Sequence, residues 1–164
     1  MINTLDAHIL SILQKNARVS NAEIARQVDM APSAVLERIR RLETKGVIQG
    51  YEVRINPEAL GQNLLAFVFV RSADFDGEAK TAELLASIPE VLEAHHIAGE
   101  DCFLLKVRAR DAKTLGRLLR ERISGTGVQS TRTTIVLETV REGSRLPLFP
   151  SEAPRELLEE VLDD

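Results

Sequence analysis

The first residues of the chain carry apolar side chains at three- and four-residue spacing, which is typical of an amphipathic helix. The members of this stripe are Ile2, Leu5, Ile9, Ile12 and Leu13. Asn16 and Ala17 interrupt the pattern. The sequence therefore predicts a first helix that buries one face against the rest of its domain.

Two further helices follow. Ser20 and Glu23 have the spacing of a capping box, in which each side chain satisfies a free backbone N–H group at the start of a helix. Pro32 suits the first turn of a third helix, because an N–H group there would lack a helical partner anyway. This helix is predicted over Ala34 to Thr44, and Gly46 suits the left-handed residue that ends it. Two short helices joined by a tight turn are typical of a helix-turn-helix DNA-binding unit.

The polar side of the third helix supplies the candidate DNA contacts. Its inner stripe is Val35, Ile39 and Leu42, and its outward side is predicted to hold Ser33, Ala34, Glu37, Arg38 and Arg41, flanked by Arg40. Arginine can pair with guanine through two hydrogen bonds, and short side chains allow close approach to base edges. Arg18 and Asn21 are predicted to contact the DNA backbone. In the alternative interpretation this side is merely solvated, and Glu37 pairs with Arg40 or Arg41.

The second half of the chain alternates between strands and helices. Strands are predicted over residues 64–71, 91–98, 102–109 and 130–140, and helices over residues 77–87 and 112–123. This βαββαβ order is that of the ferredoxin-like fold, a four-stranded antiparallel sheet with both helices on one face. The fold class is therefore α+β, and a second subunit is the simplest cover for the other face of the sheet.

The connections divide the chain into three parts. Residues 47–55 indicate short extended segments, either a small wing or a strand that leads out of the first domain. Asn56 and Pro57 break that pattern. We expect a helix-turn-helix domain over 1–60, a ferredoxin-like domain over 61–142 and an acidic extension over 143–164. The extension, with a short helix predicted over 155–162, is expected either to cap an interface between subunits or to compete weakly with DNA.

Charge and cysteine content narrow the function. The net charge is −4, but residues 1–63 carry eight basic and seven acidic side chains, and the last 23 residues carry two basic and seven acidic ones. The acidity therefore does not argue against DNA binding by the first domain. The single cysteine, Cys102, excludes an internal disulfide and a cysteine-rich zinc site, and it fits the cytoplasm. No signal peptide, membrane span, metal site or cofactor is expected.

These segments together resemble the Lrp/AsnC family of leucine-responsive, or feast/famine, regulators. The resemblance covers about residues 2–146 and rests on the stretches Leu5–Leu10, Ala17–Ala25, Leu36–Glu43, Gly46–Tyr51, Asn56-Pro57, Gly99–Val107 and Thr131–Val136. It implies a regulator that binds double-stranded DNA through residues 21–40. It also implies a C-terminal domain that pairs subunits into homodimers, which often assemble into rings of eight.

The resemblance further implies an amino-acid effector, bound in a cleft between dimers at the turn before the third strand. The candidate effector residues are Gly99, Glu100, Asp101, Cys102 and Thr133. Glu100 and Asp101 could pair with an ammonium group, and backbone N–H groups could bind a carboxylate. In the alternative interpretation the turn needs Gly99 and Asp101 for its geometry alone. Members often carry an aspartate before the aromatic residue of this strand, where this chain has Cys102.

Three other functions remain open from the sequence. The chain could be a constitutive or architectural DNA-binding protein that senses nothing. It could be an enzyme built on the ferredoxin-like domain, but the exit of the first strand at Arg71 offers no phosphate-binding loop. It could also be an assembly or ligand-binding module, an interpretation that the intact helix-turn-helix argues against. For the leading hypothesis, Arg38→Ala or Arg41→Ala is expected to abolish DNA binding.

Overall fold

The computed structural model describes residues 2–72, 78–124, 127–143 and 145–148. The chain divides into two compact units, one of residues 1–53 with 143–164 and the other of residues 54–142. In the described part, no helix is long and apolar enough to cross a membrane. The helix predicted over 155–162 lies outside the described residues.

The first unit is a bundle of three helices, as predicted. They are α1 (Thr4–Lys15), α2 (Asn21–Gln27) and α3 (Pro32–Thr44). Each contributes a fully buried β-branched side chain to one apolar cluster, Ile9 from α1, Ile24 from α2 and Val35 from α3. Because α2 has only seven residues, its stability depends on this packing rather than on its own hydrogen bonds.

Caps and turns define where these helices begin and end. The Ser20 hydroxyl accepts a hydrogen bond from the Glu23 backbone N–H at 3.1 Å, which is half of the predicted capping box. The Glu23 carboxylate accepts instead from the side chains of Arg26 and Gln27. Asp29 has a φ of 52° in the turn that follows α2, a conformation that aspartate tolerates better than most residues. Pro32 is the first residue of α3, as the sequence predicts.

The segment after α3 forms no strand. Residues 47–56 have no ladder pairing, and the side chains of Tyr51, Val53 and Ile55 are exposed, with Val53 84% exposed. Among the described residues this stretch therefore forms no strand, and it leaves the three-helix unit as unpaired backbone. A short 3₁₀ helix, Glu58–Leu60, ends at Gly61, whose φ of +68° favours glycine.

The second unit has the predicted βαββαβ order. Its elements are β1 (Leu64–Ser72), α4 (Glu78–Ala86), β2 (Val91–His96), β3 (Phe103–Ala109), α5 (Ala112–Leu118) and β4 (Val128–Ile135). A π-helical turn, Leu119–Ile123, continues α5. The strands form one antiparallel sheet in the order β2-β3-β1-β4.

The last strand is shorter than predicted. We expected it over residues 130–140, but β4 begins at Val128 and ends at Ile135, which pairs with Ala66 near the start of β1. One more backbone hydrogen bond joins the Val136 N–H to the Leu65 carbonyl. Beyond it only Leu64 of β1 remains, which pairs with Ala109 of β3 alone, so the apolar pattern continues without a strand.

The two faces of the sheet differ in their cover. Val68 and Val70 of β1 and Leu105 of β3 are fully buried among residues of α4 and α5. Successive residues of a strand point to opposite faces, so Phe67, Phe69 and Leu104 lie on the face away from the helices. Both helices therefore pack on one side, and in this unit the described helices leave the other side uncovered.

Candidate DNA-binding and effector sites

The outward face of α3 is centred on different residues from those we expected. Ser33, Glu37 and Arg40 follow each other at four- and three-residue spacing, and all three are exposed. They lie opposite the buried stripe of Val35, Ile39 and Leu42. Ala34 and Arg38, which we predicted to point outward, are half-buried. We predicted that Arg40 would lie at the edge of the outward face, but it lies at the centre. The outward face is therefore shifted by about one residue from the predicted one.

Arg38 and Arg41 reach toward the first helix. Nη1 of Arg38 donates to Oδ1 of Asp6 at 2.8 Å, and Nη2 of Arg41 lies 3.3 Å from Oδ2. The Asp6 side chain is only 7% exposed, whereas those of Arg38 and Arg41 are 25% and 48% exposed. The Glu37 pairs considered in the sequence are not formed among the described residues. A buried carboxylate thus holds two of the predicted DNA-binding guanidinium groups.

The two predicted backbone contacts lie before and at the start of α2. Arg18 is exposed, and its backbone N–H donates to the Asn16 side chain at 3.0 Å. Asn21 is the first residue of α2 and is half-buried. Because Ser20 caps this helix, Asn21 lies beside the positive end of the helix dipole, which favours a phosphate nearby.

The turn between β2 and β3 holds four of the five predicted effector residues. Gly99 has a φ of +148°, which favours glycine, and a Cβ there would meet open space. Its conformation therefore accounts for the glycine without a ligand. The Cys102 N–H donates to the Val70 carbonyl at 2.8 Å, and the Cys102 carbonyl accepts from Ile97. Among the described residues, the N–H groups of Gly99, Glu100 and Asp101 have no acceptor.

Both acidic side chains of the turn already lie beside arginines. Nη2 of Arg132 on β4 donates to Oδ2 of Asp101 at 2.8 Å, and the same guanidinium lies 3.9 Å above the ring of Phe69. Nη2 of Arg71 lies 3.9 Å from Oε2 of Glu100, and Nε of Arg71 donates to the backbone carbonyl of Glu100 at 2.9 Å. Asp101 is therefore not free to bind an ammonium group unless it leaves Arg132.

The remaining effector candidate lies on the other side of the sheet. Thr133 pairs with Val68, which faces α4 and α5, whereas Arg132 pairs with Phe69 on the uncovered face. The structure therefore places Asp101 beside Arg132 and turns Thr133 away from both. The Cys102 sulfur accepts from the Ser72 N–H at 3.5 Å, so it is tied to the end of β1.

A second group of charges lies on the uncovered face of the sheet. Lys106 donates to Glu142 at 2.6 Å and to Glu93 at 3.1 Å, and Arg108 donates to Glu142 at 3.0 Å. The hydrogen bond from Lys106 holds the pKa of Glu142 below its usual 4.5, and it lowers the pKa of Glu93 as well. The same Glu142 carboxylate raises the pKa of Lys106 above its usual 10.5.

A short C-terminal segment, residues 145–148, docks onto α1 in the first unit. The Gln14 amide binds the Leu146 backbone twice: Oε1 accepts from its N–H at 2.7 Å, and Nε2 donates to its carbonyl at 3.1 Å. Nε of Arg145 donates to the Gln14 carbonyl at 3.1 Å. We call this segment the strap.

Sequence reasoning missed four residues that organise these sites, Asp6, Gln14, Arg71 and Arg132. Of these, only Asp6 carried a signal, because it is a lone acidic residue three positions before Ile9 on the inner side of the first helix. The other three act through pairings with residues 29 or more positions away, which spacing along the chain does not reveal.

Comparison with known families matches both units. The family model described as winged helix-turn-helix DNA-binding matches residues 2–49, and the model of the Lrp/AsnC ligand binding domain matches residues 65–146. The chain is 37% identical over 150 residues to the leucine-responsive regulatory protein of Escherichia coli (strain K12), and this match covers 88% of the chain and 90% of the relative.

Solved structures are similar over nearly the same length. The AsnC structure of E. coli matches with a TM-score of 0.83 at 29% identity, covering 90% of this chain and 99% of the other. The feast or famine regulatory protein of M. tuberculosis, solved in complex with L-methionine, matches with a TM-score of 0.83 at 35% identity, covering 89% and 99%.

Proposed function

This chain belongs to the Lrp/AsnC family of transcriptional regulators, and from that premise we propose that α3 is the element that reads its DNA. The observation that carries the proposal is the outward stripe of Ser33, Glu37 and Arg40. A helix of this unit enters the major groove with such a stripe toward the base edges. Arg40 can pair with guanine and Glu37 can accept from cytosine, while Ser33 allows close approach.

The wider interface includes the remaining candidates. Arg18 and Asn21 bind phosphates at the start of α2, and Ala34, Arg38 and Arg41 border the stripe on α3. We also propose that the domains meet near residues 60 and 142.

In vitro selection from a random duplex pool by the full chain tests whether the protein reads a DNA sequence. A consensus duplex that binds at least tenfold tighter than its scrambled version supports sequence-specific reading, and recovery of no consensus contradicts it.

For the second unit we propose an amino-acid effector that binds at the turn of residues 99–102. Support comes from the L-methionine complex of the M. tuberculosis relative and from the geometry of the turn. Three backbone N–H groups that have no acceptor among the described residues, together with the nearby guanidinium of Arg132, suit a carboxylate. The ammonium group of the ligand would displace Arg132 from Asp101, so binding would exchange one ion pair for another.

The alternative is a constitutive regulator that binds no effector. The ion pair that Asp101 already forms with Arg132 favours this alternative. Asp101 is already paired, and Cys102 cannot bind an ammonium group as a carboxylate would. Calorimetric titration of the full chain with individual amino acids, L-methionine among them, separates the two. Heat of binding from one of them supports the sensor, and the absence of heat from all twenty, with DNA binding intact, supports the constitutive regulator.

The assembly and location of the protein complete the proposal. The uncovered face of the sheet, with Phe67, Phe69 and Leu104, fits a second copy of the chain, and dimers could assemble further into an octamer. A regulator that binds DNA in a bacterial-type cell would act in the cytoplasm. Sedimentation of the parent and of Phe67→Glu tests the dimer: a parent dimer with a monomeric variant supports it, and two species of equal mass contradict it.

A further inference from the structure

Asp6 is a buried carboxylate in a position where the helix pattern calls for an apolar side chain. It lies in the first turn of α1, and its backbone N–H donates to the Asn3 side chain at 2.8 Å. The residue is 5% exposed, and its two oxygens face α3 rather than solvent. Burial of a charge is costly unless it is paired, so this carboxylate depends on Arg38 and Arg41.

The pairing also has consequences for the two arginines. Arg38 and Arg41 are three positions apart on α3 and therefore lie on one side of it. Both guanidinium groups converge on one carboxylate, at 2.8 Å and 3.3 Å. This holds the edge of α3 at a fixed rotation against α1. The exposed Arg40 then occupies the centre of the outward face, and no carboxylate among the described residues forms an ion pair with it.

We propose that Asp6 is a positioning residue for DNA recognition, which fixes the rotation of α3 and withholds the charges of Arg38 and Arg41 from indiscriminate phosphate contacts. The inference rests on the proposed role of α3 and adds a source of specificity to it. An arginine that is free to move finds a phosphate on any sequence, and such contacts carry no sequence information. An arginine held by a buried carboxylate does not add to that nonspecific binding.

The test compares Asp6→Asn with a control that removes one carboxylate charge elsewhere, Glu52→Gln, in the full chain. Both changes nearly keep the size of the side chain and remove its charge. Glu52 is exposed, belongs to the same unit and lies outside residues 21–40. Anisotropy titrations would measure the affinity of each protein for the selected duplex and for its scrambled version at four salt concentrations.

We expect Asp6→Asn to bind the scrambled duplex more tightly and the selected duplex more weakly, so that their ratio falls about tenfold or more. The salt dependence on the scrambled duplex should steepen by about 0.9 for each freed arginine that reaches a phosphate. Glu52→Gln should leave the ratio unchanged. A purely structural role would instead lower both affinities by the same factor, through the unfolded fraction, and leave the salt slope as in the parent.

That parallel loss, or a ratio and slope equal to those of the control, would overturn the inference. If Asp6→Asn does not fold, Arg41→Gln is the second variant that tests the proposal. Since Arg41 is held by Asp6, its loss should not change the salt slope on the scrambled duplex, and a slope lower by about 0.9 would contradict the proposal. A parent protein that does not discriminate between the duplexes would refute the role of α3 itself, which is a separate outcome.

Discussion

Arg38 and Arg40 lie two positions apart on α3 but in different surroundings, so alanine at each position should have different effects. Arg40 is exposed and has no ion pair in the described part of the chain, whereas Arg38 donates to the buried Asp6 at 2.8 Å. We expect Arg40→Ala to weaken DNA binding without changing stability. Arg38→Ala should lower the stability of the first unit.

The magnitudes follow from burial. Removal of one partner from a buried ion pair costs about 3–5 kcal/mol, but Arg38 is 25% exposed and Arg41 remains near Asp6, so we expect about 2 kcal/mol. For a domain of this size that corresponds to a decrease in Tm of about 10 °C. Arg40→Ala should change stability by less than about 0.5 kcal/mol. Loss of its DNA contact should reduce affinity about tenfold, or about 1.4 kcal/mol.

Thermal unfolding followed by circular dichroism and anisotropy with the selected duplex measure both effects. Arg110→Ala is the control, because it removes the same charge from an exposed position in the other unit. An Arg40→Ala protein that binds with the affinity and salt slope of the parent would refute the assignment of the outward stripe. An Arg38→Ala protein that unfolds at the parent's temperature would refute the structural role of the pair with Asp6.

Three further predictions concern the other sites. Cys102→Asp should strengthen amino-acid binding about tenfold in calorimetry, because a carboxylate at the turn can bind an ammonium group; equal or weaker binding would count against the effector site. Since Lys106 holds the pKa of Glu142 below 4.5, the ionised pair should stabilise the protein above that pH and lose its effect as the pH falls through the lowered pKa. In urea denaturation, Glu142→Gln should therefore be less stable than the parent at pH 7, and the difference should become smaller as the pH falls to 3; an equal difference at both pH values would contradict this. Gln14→Ala removes two hydrogen bonds to Leu146 and should speed tryptic cleavage after Arg145 at least threefold, whereas an unchanged rate would mean that the strap does not depend on the amide.

Local sequence patterns predicted most of the helices and strands of this fold correctly. The cap at Ser20, the proline that begins α3 and the buried stripe of Val35 and Ile39 all depend on residues within one or two helical turns. The alternating apolar residues of the second half also predicted the βαββαβ order of the elements along the chain. The end of β4 could not be predicted in this way, because it depends on where β1 begins rather than on the residues of β4 itself.

The details of the sites were less predictable, since they depend on contacts between distant residues. Helical spacing identified a basic face on α3, but only the position of Asp6 on α1 shows that Arg38 and Arg41 are held at its edge. In the same way the sequence presented Asp101 as a free carboxylate, whereas Arg132 occupies it from another strand.

The central claim is that this protein couples an effector site in its second unit to DNA binding by its first. Anisotropy of the selected duplex, titrated with the full chain at two salt concentrations with and without a mixture of the twenty amino acids, tests it most directly. We predict specific, salt-sensitive binding whose affinity shifts at least fivefold with the mixture. Specific binding that the mixture leaves unchanged would contradict the coupling and identify a constitutive regulator.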